Sequence, residues 1–124
     1  MNYIGTDIVE VSRIKSMIDR YGRRFLNKIF TDKEITYCEQ KHVSSIHYAG
    51  KFSAKESVIK AVSHLSLSQS FSYRDVEITN NINPNYPIVE IKKKNLKLAK
   101  PFDINLSISH TDDYATSVAI LTLC

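Results

Sequence analysis

The central part of the chain carries apolar residues at the spacing of a helix. When residues 50–65 are wound at about 100° per residue, one side collects an apolar arc, formed by Ala54, Val58, Ala61, Val62 and Leu65. The opposite side collects polar residues, namely Ser53, Glu56, Ser57 and Lys60. The pattern predicts that residues 50–61 form the first three turns of a helix that is buried along most of its width.

Two lysines, Lys51 and Lys55, lie inside or beside this apolar arc near the predicted start of the helix. An unpaired buried ammonium is costly unless an anion or a water-filled cleft meets it. Because the start of a helix also favours an anion, this end is a candidate phosphate site. Glu56 and Lys60 stand four residues apart, which more often indicates a solvated helix pair than a catalytic one. Both interpretations stay open from this stretch alone.

The N-terminal stretch, residues 2–11, is a β-branched run that predicts a strand. Asp7 interrupts it. A carboxylate is disfavoured inside a strand that is otherwise suited to burial, so Asp7 lies either at an edge or at a functional site.

Three helical patterns follow the first strand. One is carried by Val11, Ile14, Ile18 and Tyr21 at the 3.6-residue period. Gly22 ends it, and residues 23–30 resume a shorter apolar pattern. Thr31 and Glu34 form a capping box that opens a third helix, reaching to about Lys41. Ser44 or Ser45 is expected to cap the central helix.

After Leu65 the pattern changes to strands and turns. Residues 73–79 predict a strand, residues 80–87 an Asn- and Pro-rich turn, and residues 88–91 its partner strand. Residues 104–110 and 114–123 predict an antiparallel hairpin.

In that hairpin, His110 stands at the end of an alternating apolar row, while Ser107 and Ser109 point to the other face. A histidine in this position is more often structural than functional.

These elements predict an α+β fold in which helices pack on an antiparallel sheet, and a single domain spanning residues 1–124. Hydrophobic residues make up 43% of the chain and charged residues 24%, as is typical of globular proteins. No run reaches the roughly 18 apolar residues of a membrane span, and the N-terminus lacks a signal-peptide pattern. We therefore expect a cytoplasmic protein without a membrane partner, in which Cys38 and Cys124 are reduced thiols.

The formal net charge of +4 favours an anionic partner, which could be nucleic acid, a phosphorylated cofactor or an acidic protein. The lysines at residues 92–94 make a basic nucleic-acid-binding module without catalytic activity the alternative hypothesis. No aromatic residues interleave with them, as stacking on bases would require. This alternative gives no role to Asp7 or Glu56.

Three short stretches carry a resemblance to a known family. They are Gly-Thr-Asp-Ile-Val-Glu at residues 5–10, Lys-Phe-Ser-Ala-Lys-Glu-Ser at residues 51–57 with Lys60 and Ala61, and Ser-Ile-Ser-His-Thr at residues 107–111. In type, order and spacing they resemble the 4′-phosphopantetheinyl transferases, specifically the short bacterial holo-acyl-carrier-protein synthases. The resemblance covers nearly the whole chain.

The resemblance implies an enzyme that moves the 4′-phosphopantetheine group of coenzyme A onto a serine of apo acyl carrier protein. Release of 3′,5′-adenosine bisphosphate and a requirement for Mg²⁺ are implied with it. Asp7 and Glu56 match the metal-binding carboxylates, and Lys60 matches a lysine that could hold or protonate the leaving phosphate. A metal-bound water, Glu56 or a carrier-protein group could each accept the serine proton.

The same resemblance implies that His110, with Ser109 and Thr111, contacts the phosphates of coenzyme A, supported by Lys51 and Lys55. Lys51 stands where the family usually has arginine, and residues 62–67 lack the family's glycine-rich turn.

The family's first helical region binds the acidic carrier protein, which assigns docking to Arg13, Arg20 and Arg24. A homotrimer with active sites at subunit boundaries is also expected by resemblance.

Overall fold

The order of elements follows the hydrophobic pattern closely. The computed structural model describes residues 1–65, 71–92 and 101–124. Its strands are β1 (Asn2–Glu10), β2 (Val76–Ile82), β3 (Asn85–Ile91), β4 (Phe102–His110) and β5 (Tyr114–Leu123). Its α-helices are α1 (Val11–Tyr21), α2 (Arg23–Ile29), α3 (Asp32–Glu39) and α4 (Ser44–Ser63), and a 3₁₀ turn spans Tyr73–Asp75.

The described strands form two antiparallel sheets. The larger has the order β1-β5-β4, so the first and last strands of the chain are neighbours, and β2 pairs with β3 in a separate hairpin. In the larger sheet Gly5 lies opposite Ala119, and Asp7 lies opposite Ser117. The predicted α+β fold with helices packed on an antiparallel sheet is confirmed.

Helix α4 lies against the sheet at unusually close range. A Cβ atom added to Gly5 would sit 1.9 Å from the carbonyl oxygen of Ser57. Only a residue without a side chain allows this approach of β1 to α4. Four of the five residues of the predicted apolar arc are fully buried, namely Ala54, Val58, Ala61 and Val62, whereas Leu65 is half-buried and lies beyond the last residue of α4.

Ser53 and Ser57, on the polar side of the helix opposite the apolar arc, are not exposed to solvent. Both are fully buried, and the hydroxyl of Ser117 on β5 lies 2.9 Å from each of their hydroxyls. The hydroxyls bond to one another and to backbone carbonyls, which removes the cost of burying them. A helix with small side chains on this face can therefore lie close to the sheet.

The start of α4 also differs from the prediction. The helix begins at Ser44, its N-cap is Val43, and neither Ser44 nor Ser45 caps it. Lys51 and Lys55 therefore lie well inside the helix, beyond the first turn to which free backbone N–H groups are confined. The expectation that a helix start supports a phosphate there is wrong. The capping box at Thr31 and Glu34 is confirmed at the start of α3.

The β2–β3 hairpin is longer than predicted. Asn80, Asn81 and Ile82 pair with Pro87, Tyr86 and Asn85, so only two residues connect the strands instead of the turn expected over residues 80–87. Pro87 is tolerated because β3 lies at the edge of its sheet, where a missing N–H costs little. The strand expected from residue 73 begins only at Val76, after the 3₁₀ turn.

The face of the larger sheet that points away from α4 is partly apolar. Four aliphatic side chains are exposed on it: Ile4, Ile8, Val118 and Ile120. Ile4 and Ile120 stand opposite each other on neighbouring strands. We call these four residues the outer sheet face. Among the described residues, no helix is long and apolar enough to cross a membrane.

Candidate functional site

Asp7 lies on the face of β1 that packs against α4, with only 15% of its side chain exposed. Its Oδ1 is 3.6 Å from Nζ of Lys60, which also donates to the carbonyl of Thr6 at 2.9 Å. The other oxygen, Oδ2, is buried and has no hydrogen-bond partner in the part of the chain that is described. Burial raises the pKa of Asp7 above its ordinary value, against the lowering effects of Ser53 and Lys60. This carboxylate is therefore left with an unsatisfied oxygen.

Glu56 projects from α4 one turn before Lys60. The hydroxyl of Tyr73, from the 3₁₀ turn, donates a hydrogen bond to its Oε1. Burial and this carboxylate together raise the pKa of Tyr73 to about 12, so the phenol stays protonated and acts as the donor at neutral pH.

Asp7 and Glu56 share one pocket of about 400 Å³, which we call the carboxylate pocket. Its other lining residues include Arg13, Phe52 and Tyr73. The structure therefore brings together both predicted metal ligands, although they stand 49 positions apart in the sequence.

The donor set of this pocket fits Mg²⁺, which is typically held by one or two carboxylates together with water and substrate phosphate. The buried, unpartnered oxygen of Asp7 is an available ligand. No group of three or more His, Cys, Asp or Glu side chains among residues 1–65, 71–92 and 101–124 could form a cation site made by protein alone. Oxygen atoms of water and substrate phosphate would complete the coordination of a cation held by these two carboxylates.

A second pocket, of about 290 Å³, lies on another side of α4, and we call it the histidine pocket. It contains Lys51 and His110, together with His47, Asn80 and Tyr86. The rings of His47 and His110 meet edge to face, with their centroids 6.0 Å apart. Burial, with added repulsion from nearby cations such as Lys41, lowers the pKa of His47.

Lys51 is almost entirely buried at the base of the histidine pocket. Its Nζ donates to the carbonyl of Ile78 at 2.8 Å and to Oδ1 of Asn80 at 3.3 Å, and it lies over the ring of Tyr37. Burial lowers its pKa. An ammonium carries three N–H donors, so the two hydrogen bonds to described residues leave one that the ring of Tyr37 or a ligand can accept.

Lys55 does not line either pocket, and its assignment to a phosphate of coenzyme A is not supported. Its side chain is fully buried, 2.7 Å from Oε1 of Glu34. It also donates to the carbonyls of Tyr73 at 2.9 Å and Val76 at 2.6 Å. Because all three of its N–H donors have partners inside the protein, Lys55 connects α4 to α3 and to the 3₁₀ turn.

Ser109 and Thr111 are also separated from His110. Ser109 lies on the opposite face of β4, as strand alternation requires. The hydroxyl of Thr111 accepts hydrogen bonds from the backbone N–H groups of Asp113 and Tyr114, at 3.2 and 3.0 Å. Thr111 therefore stabilises the turn between β4 and β5, and of the three residues only His110 lines the histidine pocket.

The three predicted docking arginines are all exposed. Arg13 lines the carboxylate pocket, and Arg24 lines a neighbouring groove of about 290 Å³. Met17 and Phe25 line both, so the groove continues into the pocket. Arg20 lies over the ring of Tyr21.

The basic triplet at residues 92–94 is only partly described. Lys92 lies 3.2 Å from Oε1 of Glu77, and residues 93 and 94 lie outside the described residues. In the segment 62–67, which lacks the family's glycine-rich turn, residues 66 and 67 also lie outside the described residues.

Sequence reasoning missed Tyr73, which it placed in a strand without a role. Its hydroxyl meets a carboxylate 17 residues earlier in the chain, and no local pattern signals a contact that depends on how a turn packs against a helix.

Comparison with known proteins points to one family. The family model described as 4′-phosphopantetheinyl transferase superfamily matches residues 3–119. The holo-[acyl-carrier-protein] synthase of Protochlamydia amoebophila is 43% identical over 117 residues, which cover 94% of each chain. That of Chlamydia muridarum is 41% identical, over 94% of this chain and 91% of the relative.

Solved structures agree with these relatives. The holo-(acyl-carrier-protein) synthase of Bacillus anthracis, in complex with CoA (3′,5′-ADP), superimposes with a TM-score of 0.77 at 27% identity, over 98% of this chain and 96% of that one. The Helicobacter pylori holo-[acyl-carrier-protein] synthase in complex with coenzyme A gives a TM-score of 0.74 at 27% identity, over 96% of this chain and 99% of that one.

Proposed function

The chain belongs to the 4′-phosphopantetheinyl transferase superfamily, and from this premise we propose how its pockets perform the transfer. The enzyme moves the 4′-phosphopantetheine group of coenzyme A onto a serine of apo acyl carrier protein and releases 3′,5′-adenosine bisphosphate. The convergence of Asp7 and Glu56 on one pocket, with an unpartnered oxygen on Asp7, is the observation that carries this mechanism.

Asp7 and Glu56 would hold Mg²⁺, which when bound would supply positive charge against the negative charge that develops as the serine hydroxyl attacks coenzyme A. Lys60 adds a positive charge beside Asp7, and 53% of its side chain is exposed, so the ammonium can reach a leaving phosphate. Phe52 and Tyr73 supply an apolar wall that limits water around the reacting groups.

The phosphates of the adenosine part of coenzyme A bind in the histidine pocket. His110 stands at its exposed edge, and Lys51 lies at its base with one donor left for a ligand. Charge-assisted bonds from these two groups suit a phosphate. Lys55 already donates to Glu34, Tyr73 and Val76, and neither Ser109 nor Thr111 lines this pocket, so we do not assign these three residues to the phosphates.

A complete site needs both pockets, and in one chain they share none of their described lining residues. Three copies of the chain assemble so that the carboxylate pocket of one faces the histidine pocket of the next. The outer sheet face supports this assembly, because exposed aliphatic residues on neighbouring strands are typical of a buried interface. Sedimentation should give the mass of a trimer, and Ile8→Asp with Val118→Asp should yield monomers.

The acidic carrier protein docks on α1 and α2 through Arg13, Arg20 and Arg24. The groove beside Arg24 continues into the carboxylate pocket. A serine presented along it would reach Asp7 and Glu56.

Intact-mass analysis of apo acyl carrier protein tests the reaction directly. Incubation with this protein, coenzyme A and Mg²⁺ should add the mass of one phosphopantetheine group. The gain should disappear when a chelator replaces Mg²⁺, and also when the acceptor serine is changed to alanine. A carrier protein whose mass stays unchanged under saturating conditions would contradict the proposal.

A further inference from the structure

The 3₁₀ turn Tyr73–Asp75 is fixed to its surroundings by several independent bonds. Nζ of Lys55 donates to the carbonyls of Tyr73 and Val76, at 2.9 and 2.6 Å. The side chain of Asp75 accepts from the backbone N–H of Ser72 at 2.8 Å. Arg74 donates to the carbonyl of Asn27 on α2 at 3.1 Å. The position of the turn therefore does not depend on any single side chain.

The ring of Tyr73 is held as well. It packs against the ring of Phe52, with centroids 5.3 Å apart and planes inclined by 31°. Phe52 and Glu56 are one turn apart on α4, so a ring lying on Phe52 brings its hydroxyl to the Glu56 carboxylate. The hydroxyl donates to Oε1 of Glu56.

Lys55 and Glu56 are neighbours in sequence and contact the same turn from different sides of α4. The ammonium of Lys55 fixes the backbone of Tyr73, and Tyr73 in turn fixes the carboxylate of Glu56. Lys55 is itself anchored by Glu34. A chain of bonds thus runs from a fully buried ion pair to a carboxylate in the pocket.

We propose that Tyr73 is a positioning residue for Glu56, holding Oε1 so that Oε2 faces a divalent cation in the carboxylate pocket. The inference rests on the proposed role of Glu56 in binding Mg²⁺. A free glutamate side chain has several rotatable bonds, and ordering it when the cation binds would weaken affinity. A hydroxyl that holds one oxygen in advance removes part of that cost, as the hydrogen-bonded partners of metal ligands do.

The contrasting possibility is that the hydroxyl only helps to fix the turn. The variant Tyr73→Phe separates the two roles, because it keeps the ring on Phe52 and the backbone bonds to Lys55 but removes the bond to Glu56. A purely structural hydroxyl would lower the melting temperature and leave cation affinity unchanged.

The test is calorimetric titration of Mg²⁺ into the protein saturated with coenzyme A. Affinity in Tyr73→Phe should fall about tenfold, and the Mg²⁺ concentration that gives half-maximal transfer should rise in proportion. Affinity for coenzyme A measured without Mg²⁺ should not change. Tyr3→Phe is the matched control, because the hydroxyl of Tyr3 donates to Sδ of Met1, outside both pockets.

Two further variants separate this inference from the proposed function. If Asp7→Asn and Glu56→Gln lose Mg²⁺ affinity but Tyr73→Phe does not, the positioning role is wrong and the metal site stands. If all three bind Mg²⁺ as the wild type does, the metal site itself is wrong. In the Glu56→Gln background, Tyr73→Phe should cause little additional loss, since both changes interrupt the same interaction. An independent tenfold loss there would also overturn the role.

Discussion

The two pockets beside α4 each contain a buried charged group, and the two groups differ in how much of their hydrogen bonding the protein supplies. In the carboxylate pocket, Asp7 keeps a buried oxygen without a partner among the described residues, although Lys60 is close by. In the histidine pocket, Lys51 already donates two hydrogen bonds, to Ile78 and Asn80, and has one donor beyond them. A buried polar group without a partner is costly, and its persistence indicates a ligand. The carboxylate of the first pocket is therefore the stronger candidate for chemistry, and the partly bonded lysine of the second is a candidate for binding.

A second buried lysine, Lys55, lies in the core and differs from Lys51. It is at least as deeply buried as Lys51, but its three donors all have protein partners and it lines neither of the two pockets. Burial of a lysine thus does not distinguish a ligand-binding group from a structural one. The number of ammonium N–H donors that remain without a protein partner distinguishes the two kinds of lysine.

The largest effect should come from removing a carboxylate of the first pocket. Asp7→Ala and Glu56→Ala should each slow transfer at least about 10³-fold, on the order of 4 kcal/mol in the barrier. Folding should be retained, and Asp7→Asn should be no less stable than wild type, because burial disfavours the charged form of Asp7. Turnover and urea unfolding measure the two properties.

Asp19→Asn is the control for these variants, since it changes an exposed carboxylate that pairs with Lys15 on the surface of α1 and lines neither pocket. Near wild-type turnover of both alanine variants at limiting Mg²⁺ would contradict the metal assignment.

The second effect concerns stability. Lys55→Met should destabilise the protein by about 3–5 kcal/mol, because it leaves the buried charge of Glu34 without its partner. Changing Glu34 as well should not restore stability, since its oxygens also accept from the N–H groups of Thr31 and Ile78. Chemical unfolding measures the change.

Lys15→Met is the matched control for this variant. It breaks an exposed pair with Asp19 and should cost no more than about 1 kcal/mol. Equal stability of Lys55→Met and wild type would mean that Lys55 is not the structural link described here.

Contacts between residues close in sequence could be predicted, whereas contacts between distant segments could not. The capping box of Thr31 was predictable, because its two hydrogen bonds join residues three apart. The hairpin of β4 and β5 was predictable for the same reason, since alternation and a short turn are local patterns. The burial of Ser53 depends on Ser117, 64 residues away, and the partner of Lys55 lies on a different helix.

For the site, resemblance to family motifs predicts roles for Asp7, Glu56 and His110, and the structure adds which of them share a pocket. A linear motif cannot state that neighbouring residues such as Ser109 and His110 point to opposite faces unless the strand register is known. Nor can it show that a lysine in a motif has used all its donors. These are properties of packing between distant segments.

The third effect should appear in the histidine pocket. His110→Ala should weaken binding of coenzyme A about tenfold, the loss expected for one bond to a charged phosphate. The KM for carrier protein should not change. His42→Ala, an exposed histidine that lines neither pocket, is the control. Calorimetry that gives equal affinities for wild type and His110→Ala would remove His110 from the site.

The smallest effect should come from the arginines around the first pocket, because they are exposed and act through solvent. Charge reversal in Arg13→Glu or Arg24→Glu should raise the KM for carrier protein by up to about fivefold, since an exposed charge pair contributes roughly 0.2–1 kcal/mol. Affinity for coenzyme A should stay the same. Steady-state kinetics with varied carrier protein provide the measurement.

The dependence of KM on salt concentration distinguishes docking through these arginines from a general effect of net charge. If these arginines attract an acidic helix, added salt should weaken the wild type more than either reversal variant, because the variants have lost part of the attraction that salt screens. Lys15→Glu makes the same change in net charge on the same helix, but two residues along and therefore on the other side of α1 from Arg13. It should leave the KM near the wild-type value. A KM that rises equally in all three variants would show that only net charge matters, and docking would then not be assigned to the groove that leads from Arg24 to Asp7.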